Sequence, residues 1–211
     1  MREPGPDLGF EKALWQAGVR RVAGIDEAGR GALAGPVAAA AVILPVDDNI
    51  LHSLAGVRDS KQMTPTQRET WCVHIKRQAA AWGVGFASAE EIDLLGILPA
   101  TRLAAVRALE GLSLAPNHLI LDYLFLPELP LPQTSLVKGD QRSLSIAAAS
   151  VLAKTARDAC MVALDQQVPG YGFARHKGYG TAVHCAALES LGPSAVHRRT
   201  FHVHNRGANH V

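Results

Sequence analysis

Three acidic residues stand directly after apolar, strand-like runs, an unusual place for a charged side chain. Asp26 and Glu27 follow Val22–Ile25, and Asp122 follows Leu119–Leu121. A carboxylate at the edge of a core loses hydration, which is costly unless a cation or a hydrogen-bond donor compensates it. Carboxylate oxygens are hard ligands that suit Mg²⁺ or Mn²⁺. The residues therefore indicate either a divalent-metal site or three separate caps of the turns that follow, and both interpretations stay open on this pattern.

The neighbouring pair Asp26 and Glu27 poses a geometric difficulty, because successive residues of a strand point to opposite faces. Either the strand ends at Asp26 and the turn brings Glu27 round to the same site, or Glu27 contributes in another way. Gly29 and Gly31 make the first arrangement easy, since glycine adopts turn conformations without a steric penalty.

Several other chemistries fit the sequence poorly. The segment Gly29–Gly35 has the spacing GxGxxxG and precedes an apolar strand, which argues against a dinucleotide-binding turn, and the P-loop pattern is absent. The histidine-rich run His197–His204 lacks a ligand set with zinc-finger spacing, so we expect its histidines and arginines at the surface or on phosphate. The three cysteines have no CxxC spacing, which argues against a disulfide scaffold and a cysteine zinc site.

The elements that must position these residues are strands followed by alternating helices and strands. Strands are predicted at 21–26, 37–44, 82–87, 118–122 and 134–137. Helices are predicted at about 7–17, from a capping box at Thr64 to about 81, from a second capping box at Ser88, and at about 99–109, 145–167 and 181–190. Residues 47–61 are expected to form a polar connection. This order predicts an α/β fold with a mixed sheet and helices on its faces.

Length and charge limit the possible partners. The 211 residues suffice for one domain with an appendage, and we assign 1–20 to an N-terminal extension. The longest apolar stretch, Ala38–Leu44, is far below the ~20 residues of a membrane span, and the N-terminus lacks a signal-peptide pattern, so we expect a cytoplasmic protein with no membrane contact. Residues 138–211 hold 9 Lys/Arg and 4 Asp/Glu, which fits either a polyanionic partner or a solvated basic face.

A longer set of motifs closely resembles bacterial ribonuclease HII. The opening run is Gly24–Val37, GIDEAGRGALAGPV. The other matches follow in the family's order, and together they cover roughly residues 20–202: Asp59–Lys61, Glu90–Asp93, Lys138–Asp140, Ser145–Ser150, Ala153–Lys154, Arg157–Asp158, His176–Thr181 and His197–Arg198. The chain departs from the family at Ala32, where proline is usual, and at Tyr123, where glycine is common. Neither change removes a functional group, although Tyr123 could narrow the site.

This resemblance implies a ribonuclease H-like α/β fold, a mixed central sheet flanked by helices, with a catalytic domain at 21–211 and a helical, substrate-binding C-terminal part at 168–211. It implies an endoribonuclease that cleaves the RNA strand of RNA–DNA hybrids and single ribonucleotides embedded in duplex DNA. The catalytic and metal-binding set carried over by motif is Asp26, Glu27, Asp122 and Asp140. Two Mg²⁺ or Mn²⁺ ions are expected during hydrolysis, with 5′-phosphate and 3′-hydroxyl products.

The resemblance also assigns substrate contacts. It gives Gly29, Arg30 and Gly31 the recognition of the 2′-hydroxyl, and Tyr179 the deoxyribose at the RNA–DNA junction; on the residues alone, Tyr179 would be a packing residue. Further contacts with phosphate are expected from basic side chains along the chain: Lys61, Lys138, Arg142, Lys154, His176 and Lys177. Asp158 is expected to pair with Arg157 or another neighbour.

Two rival functions remain at this point. A junction resolvase of ribonuclease H-like fold would share the carboxylates but would not need the Gly29–Gly31 turn. A catalytically silent hybrid-binding module would have no reason to keep four acidic groups facing phosphates. We expect a monomer, and a replication clamp is a possible partner although the tail 205–211 shows no clear clamp-binding motif.

Overall fold

The computed structural model describes residues 5–201, and its central element is a mixed five-stranded sheet. Strands β1 to β3 pair antiparallel in chain order, whereas β4 lies parallel to β1 and β5 lies parallel to β4. The spatial order is β3-β2-β1-β4-β5, which puts β1 at the centre. The strand bounds are β1 Val22–Ala28, β2 Val37–Ile43, β3 Ala81–Ala87, β4 His118–Asp122 and β5 Gln133–Leu136.

Eight helices flank the sheet among the described residues: α1 Gly9–Gln16, α2 Asn49–Ser53, α3 Pro65–Gln78, α4 Ala89–Leu95, α5 Ile97–Glu110, α6 Leu144–Gln167, α7 Phe173–His176 and α8 Ala182–Leu191. Both predicted capping boxes are present, at Thr64 and at Ser88. None of the helices within residues 5–201 has the length and apolarity that a bilayer crossing requires. The α/β architecture predicted from the sequence is confirmed.

The prediction of a polar connection at residues 47–61 was wrong in part. This segment contains α2 and a 3₁₀ turn at Ser60–Gln62. Ile50 and Leu54 are buried and pack in the same apolar cluster as α3 and α6. The apolar residues of this segment, Ile50, Leu51, Leu54, Ala55 and Val57, span too short a stretch to give the periodic signal that would indicate a five-residue helix.

Helix α6 lies close against one face of the sheet because small residues meet at the contact. A Cβ atom on Gly24 in β1 would come within 2.3 Å of the Ser145 backbone, so this strand position has no room for a side chain. The alanines 147–149 at the start of α6 are fully buried in the cluster beneath β2. Helix α5 covers the opposite face, where Gly83 and Gly85 allow a similar approach. The close approach carries Ser150 of α6 to the end of β1.

Helix α1 is tied to the start of α6 by a buried carboxylate. Glu11 is 1% exposed, and its Oε1 accepts hydrogen bonds from the Ser143 and Ser145 hydroxyls and from the Ser145 backbone N–H. Asp7 adds two backbone hydrogen bonds, one to Arg142 and one to Leu144. Residues 7–16 therefore fasten the segment that leads from the second 3₁₀ turn, Gly139–Gln141, into α6.

The segment after α6 folds back over the loop that follows β1. Tyr171 and Phe173 pack with Met161 of α6 and with Ala34 of that loop. The Leu33 N–H donates to the Gly178 carbonyl at 2.8 Å, and the Gly35 N–H donates to the Val196 carbonyl at 2.8 Å. The C-terminal part is thus bound to the residues next to β1.

Candidate active site

The carboxyl ends of two adjacent strands bring the first acidic residues together. Parallel β1 and β4 are in register, with Ile25 opposite Leu121, so the next residues along the two strands are Asp26 and Asp122. Asp26 is 5% exposed. Residues 96 positions apart in the chain therefore share one edge of the sheet, as the strand predictions indicated.

Strand β1 continues past Asp26, contrary to the predicted end of the strand at that residue. Its pairing with β2 extends to Ala28 opposite Ala38, so the strand bonds hold Glu27 in the extended conformation. Asp26 and Glu27 consequently leave opposite faces of the strand. The Glu27 carboxylate nevertheless lies in the electrostatic field of Asp26, Asp122 and Lys61, and its Oε1 accepts a hydrogen bond from Arg30 at 3.2 Å.

Asp140 is brought to the same edge by a hydrogen bond between loop and strand. Asp122 Oδ1 accepts from the Gly139 N–H at 2.8 Å, which fixes the 3₁₀ turn that carries Asp140. A Cβ on Gly139 would lie 2.7 Å from Ile146 and 3.4 Å from the Asp122 Cα, so a side chain would push the turn away from the strand. Asp140 is 3% exposed.

The carboxylates at this edge disfavour one another's charged forms. Burial raises the pKa of Asp26 well above its usual value, and the negative charges of Glu27 and Asp122 raise it further, against a hydrogen bond from Ser150. Burial also raises the pKa of Glu27, with Arg30 opposing and Asp122 adding to the shift. Burial, Asp59 and Asp122 raise the pKa of Asp140 to about 6. The positive charges of Arg30 and Lys61 do not offset these shifts, and a bound cation would lower the raised pKa values of the carboxylates.

Three further observations bear on whether a metal ion would fit. Glu27 Oε2 is buried and has no hydrogen-bond partner. Lys61 stands in the field of the cluster: burial opposes its charge, yet Asp26, Asp59, Asp140 and Asp122 together raise its pKa. No three His, Cys, Asp or Glu side chains within residues 5–201 already converge as a finished ligand set. The surplus of oxygen donors, one of them unpartnered, fits a hard divalent ion.

Sequence reasoning missed Asp59 and Ser150 as parts of this site. Asp59 is 6% exposed, caps the 3₁₀ turn through the Lys61 N–H, and lies beside Asp140. Ser150 bonds both Asp26 and the Ser60 hydroxyl, the latter at 2.8 Å. The tripeptide Asp59–Lys61 was a visible motif match, so its acidic residue could have been included; Ser150 was hidden in a run of small residues.

The Gly29–Gly31 turn lies directly beyond Glu27 and is held from behind by two buried arginines. Arg198 donates to the carbonyls of Gly29 and Arg30, both at 2.8 Å, and to that of Gly35 at 3.0 Å. Gly29 has φ +94°, and a Cβ there would lie 1.8 Å from Arg157 Nε. Gly31 differs, because nothing lies within 4 Å of its Cβ position. Its backbone is open to an incoming molecule.

Tyr179 lies next to this turn, on the C-terminal segment. Its ring is 37% exposed, with Arg157 at 5.4 Å and Lys154 at 5.7 Å from the ring centroid. Arg157 also donates to the Lys177 carbonyl at 3.0 Å and to the Ala34 carbonyl at 3.2 Å. One guanidinium therefore joins the loop after β1 to the segment that carries Tyr179.

The structure places the remaining basic candidates in different environments. Lys61 lies in the acidic cluster, as described above. Lys177 Nζ donates to the Ala174 carbonyl, and Arg142 lies 5.0 Å from the Phe10 ring. Lys138 has φ +54° at the start of the Asp140 turn. Both ring nitrogens of His176 are engaged, with the Tyr171 carbonyl at 2.8 Å and the Gly178 N–H at 3.2 Å.

Asp158 pairs with neighbours other than Arg157. It accepts from Lys154 at 2.8 Å and from Arg68 at 3.1 Å. The donors of Arg157 go to backbone carbonyls instead, because Arg157 is fully buried between the β1 loop and the C-terminal segment. Lys154 thus has an ion-pair partner.

Two sequence expectations concern residues near the chain end. His197 and Arg198 were expected at the surface or on phosphate, but they are 4% and 2% exposed and bond protein groups. The partners of Arg198 lie more than 160 residues earlier, so no local pattern could reveal its burial. The rest of the histidine-rich run and the tail 205–211 lie outside the described residues.

Tyr123, where the sequence departs from the family's usual glycine, lies directly after Asp122. Its side chain is 74% exposed, and its backbone has φ +49°.

Comparison with known proteins finds relatives over nearly the whole chain. A sequence profile of the family described as Ribonuclease HII matches residues 23–204. A ribonuclease HII of Synechococcus sp. (strain JA-3-3Ab) is 56% identical over 93% of this chain and 88% of its own length. One of Chloroflexus aurantiacus (strain ATCC 29364 / DSM 637 / Y-400-fl) is 55% identical over 93% of each.

Among solved structures, the ribonuclease HII of Archaeoglobus fulgidus, in its complex with PCNA, superposes with a TM-score of 0.73. It is 25% identical, and the match covers 89% of this chain and 98% of that one. Sequence and fold agree over nearly the whole length. The chain belongs to the ribonuclease HII family and is a hydrolytic endoribonuclease acting on RNA–DNA hybrids.

Proposed function

We propose that this enzyme cleaves single ribonucleotides embedded in duplex DNA as well as the RNA strand of hybrids, with two Mg²⁺ or Mn²⁺ ions, leaving 5′-phosphate and 3′-hydroxyl ends. The observation that carries the proposal is the adjacency of two features. A buried cluster of mutually repelling carboxylates stands beside a turn whose backbone is open at Gly31. The first suits phosphodiester hydrolysis, and the second suits close approach to a ribose.

Asp26, Glu27, Asp122 and Asp140 would hold the metal. A divalent ion bound there would lower the pKa of an attacking water and stabilise charge on the leaving oxygen. Lys61 lies in the electrostatic field of the same carboxylates. Once a cation neutralises their charge, the Lys61 ammonium would be free to bind a phosphate. The raised pKa values of Asp26 and Asp140 mean that these oxygens are most available as ligands in neutral to alkaline solution.

The Gly29–Gly31 turn would distinguish RNA from DNA. A 2′-hydroxyl is both a donor and an acceptor, so main-chain groups can bond it directly if no side chain intervenes. Arg198 fixes the carbonyls of Gly29 and Arg30 from the inner side, which leaves the outer side of the turn for the sugar. Arg30, paired with Glu27, is placed to meet the adjoining phosphate.

Tyr179 would contact the deoxyribose that follows the ribonucleotide. A groove of about 510 Å³ runs beside its ring. Its lining includes Lys154 of α6, Arg175 of α7 and Lys177 directly after α7, together with the acidic residues Glu69 and Asp158. The C-terminal part, 168–211, thus acts as the substrate-binding part of the catalytic domain 21–211. Within the N-terminal extension 1–20, Asp7 and Glu11 support this domain by their bonds to the start of α6.

Among partners, a sliding clamp is supported by the Archaeoglobus fulgidus relative, whose structure is a complex with PCNA. The enzyme acts as a monomer in the cytoplasm, without membrane contact. A junction resolvase is the weaker alternative, since nothing in resolvase chemistry needs the turn at Gly31. A silent hybrid-binding module is weaker still, since buried carboxylates facing phosphate would only repel it.

The deciding experiment uses three duplexes of one sequence: a single embedded ribonucleotide, a continuous RNA–DNA hybrid and DNA only. We expect cleavage of the first two in Mg²⁺ or Mn²⁺ and none in EDTA, with 3′-hydroxyl ends that a polymerase extends. Cleavage of the all-DNA duplex, or of a four-way DNA junction, would favour the resolvase. An intact single-ribonucleotide duplex beside a cut hybrid would contradict the wider substrate range.

A further inference from the structure

Three histidines form a cluster behind Tyr179 that the hydrolysis does not use. His184 is fully buried and His197 is 4% exposed, and their Nε2 atoms are 3.0 Å apart. The His176 ring stacks on His184 with centroids 4.5 Å apart and planes 16° from parallel. We call His176, His184 and His197 the histidine cluster. All six ring nitrogens bond protein groups, which leaves none for a metal ion.

The hydrogen-bond partners determine where each ring carries its proton. The Ser194 backbone N–H lies 2.9 Å from His197 Nδ1, so this nitrogen accepts and the proton is on His197 Nε2. His197 Nε2 then donates to His184 Nε2 at 3.0 Å. The proton of His184 is therefore on Nδ1, which donates to the Tyr179 carbonyl at 3.0 Å. The result is a directional relay of hydrogen bonds from Ser194 to Tyr179.

His176 likewise holds Gly178, the residue before Tyr179, by a hydrogen bond to its backbone. Its Nδ1 accepts from the Gly178 N–H, and its Nε2 donates to the Tyr171 carbonyl. Lys177 and Gly178 both have positive φ, +55° and +80°, so the chain reverses sharply just before Tyr179. A Cβ on Gly178 would lie 2.5 Å from the Ala34 carbonyl oxygen. Two histidines thus hold the backbone of a tight turn pressed against the β1 loop.

We propose that the histidine cluster is a positioning device for Tyr179, and that it thereby sets the preference for a single embedded ribonucleotide over a continuous hybrid. This inference rests on the proposed contact of Tyr179 with deoxyribose. The Tyr179 side chain is 37% exposed, and its ring lies near the cationic groups of Arg157 and Lys154. Its direction depends on the main chain at residues 178 and 179, which the cluster holds.

The electrostatics agree with uncharged rings in the relay. Burial lowers the pKa of His184, with a further lowering by His176. Burial, followed by the neighbouring His184, lowers the pKa of His197 to about 4. A second proton on either ring would place two N–H donors face to face in the relay, and one of its hydrogen bonds would be lost.

The test compares two variants of similar size, His184→Asn and His184→Gln. The asparagine amide lies where Nδ1 was and can still donate to the Tyr179 carbonyl. The glutamine amide reaches the Nε2 position instead, so the Tyr179 carbonyl loses its side-chain donor and keeps its bond from the Thr181 backbone N–H. The measured quantity is kcat/KM on the single-ribonucleotide duplex divided by kcat/KM on the continuous hybrid. We expect His184→Gln to lower this ratio roughly three- to tenfold, the range of one hydrogen bond. His184→Asn should stay within about twofold of wild type.

Tyr179→Ala supplies the reference and separates the possible failures. It should lower the ratio roughly ten- to hundredfold, and on that background the two His184 variants should no longer differ. If Tyr179→Ala lowers the ratio but His184→Gln does not, or if both His184 variants lower it equally, the positioning proposal is overturned. An unchanged ratio in Tyr179→Ala overturns it through its premise, whereas a wild-type enzyme that ignores the single ribonucleotide contradicts the proposed function itself.

A second measurement does not depend on the folding of any variant. In ¹⁵N-labelled wild-type enzyme, long-range ¹H–¹⁵N spectra at neutral pH report the tautomer of each ring. We expect the proton on Nδ1 of His184 and on Nε2 of His197 and His176. A proton on Nε2 of His184 would remove the bond to Tyr179 and overturn the relay.

Discussion

The acidic edge, with Asp26 and Asp140, and the Gly29–Gly31 turn, held by Arg198, are neighbours that differ in how their buried charges are compensated. At the edge, Asp26 and Asp140 are buried with too few positive partners, and their pKa values rise. At the turn, Arg198 is equally buried but gives every arm of its guanidinium to a backbone carbonyl. The first region is incomplete without a cation, and the second is complete in the protein alone. The proposed function thus assigns hydrolysis to the region whose charge is unsatisfied, and ribose recognition to the region whose backbone is fixed.

The largest expected effect tests the incomplete region. Asp26→Asn and Asp122→Asn each remove a ligand charge, so turnover should fall by roughly 1,000-fold or more, since a metal site supplies several kcal/mol to such a reaction. Hybrid binding should persist or tighten because repulsion of phosphate falls. Single-turnover cleavage and filter binding measure the two quantities. Glu110→Gln, an exposed carboxylate at the end of α5, is the control with the same change of charge; near-normal cleavage by Asp26→Asn would contradict the assignment.

The next effect tests the complete region. Arg198→Met keeps much of the side-chain volume but removes the charged donor from the carbonyls of Gly29, Arg30 and Gly35, of which Gly29 keeps the Ala32 N–H. The free energy of unfolding should therefore fall by about 3 kcal/mol. Urea unfolding followed by circular dichroism measures the change. Arg199→Met is the matched control, because that side chain is exposed. Equal stability of the two variants would mean that the guanidinium is not what holds the turn.

Asp140→Asn should stabilise the metal-free enzyme, whereas Arg198→Met destabilises it, so the sign of the stability change distinguishes the two regions. In metal-free enzyme at pH 8 the buried Asp140 is ionised at a cost, because its folded pKa of about 6 exceeds the unfolded value of 3.8. Asp140→Asn should therefore raise stability at pH 8, on the order of 2 kcal/mol, and much less at pH 4, where the native carboxyl is protonated. Melting temperatures in EDTA at both pH values measure this. A variant less stable than wild type at pH 8 would show that the edge is already satisfied without metal.

The smallest effect concerns the outer side of the turn. Gly31→Ala meets open space, so the melting temperature should hold, while the added methyl should obstruct the sugar and lower cleavage roughly tenfold. Gly29→Ala is the contrast, because it meets Arg157 and requires φ +94°. It should lose stability as well as activity. If Gly31→Ala cleaves normally, the ribose does not approach at that residue.

The parts that sequence reasoning predicted share a local physical signal. Strand β4 is correct to the residue, since an apolar run ends at Asp122, and the capping boxes at Thr64 and Ser88 identify their helices through side-chain bonds three residues apart. The end of β1 was placed too early because pairing with β2, not the residue types, extends the strand to Ala28.

The remaining features depend on partners distant in sequence. Arg198 and His197 read as a polar surface run, but their burial follows from carbonyls and rings contributed by other segments. Among the acidic residues, Asp26 and Asp122 were recognisable from their strands, whereas Asp140 required the family resemblance. Its burial comes from a turn that Asp122 fastens through Gly139.

The parallel pairing of β1 with β4 has a consequence for the order of synthesis. A ribosome delivers β1, β2 and β3 first, and this antiparallel meander can pair as it emerges. The free side of β1 must then wait for His118–Asp122, about 100 residues later, and for α6 after that. Asp26 gains its carboxylate neighbour only once Asp122 has been made, and the serine that bonds it only after a further 28 residues, at Ser150. The acidic edge therefore forms late in synthesis, and the antiparallel meander that emerges first does not contain it.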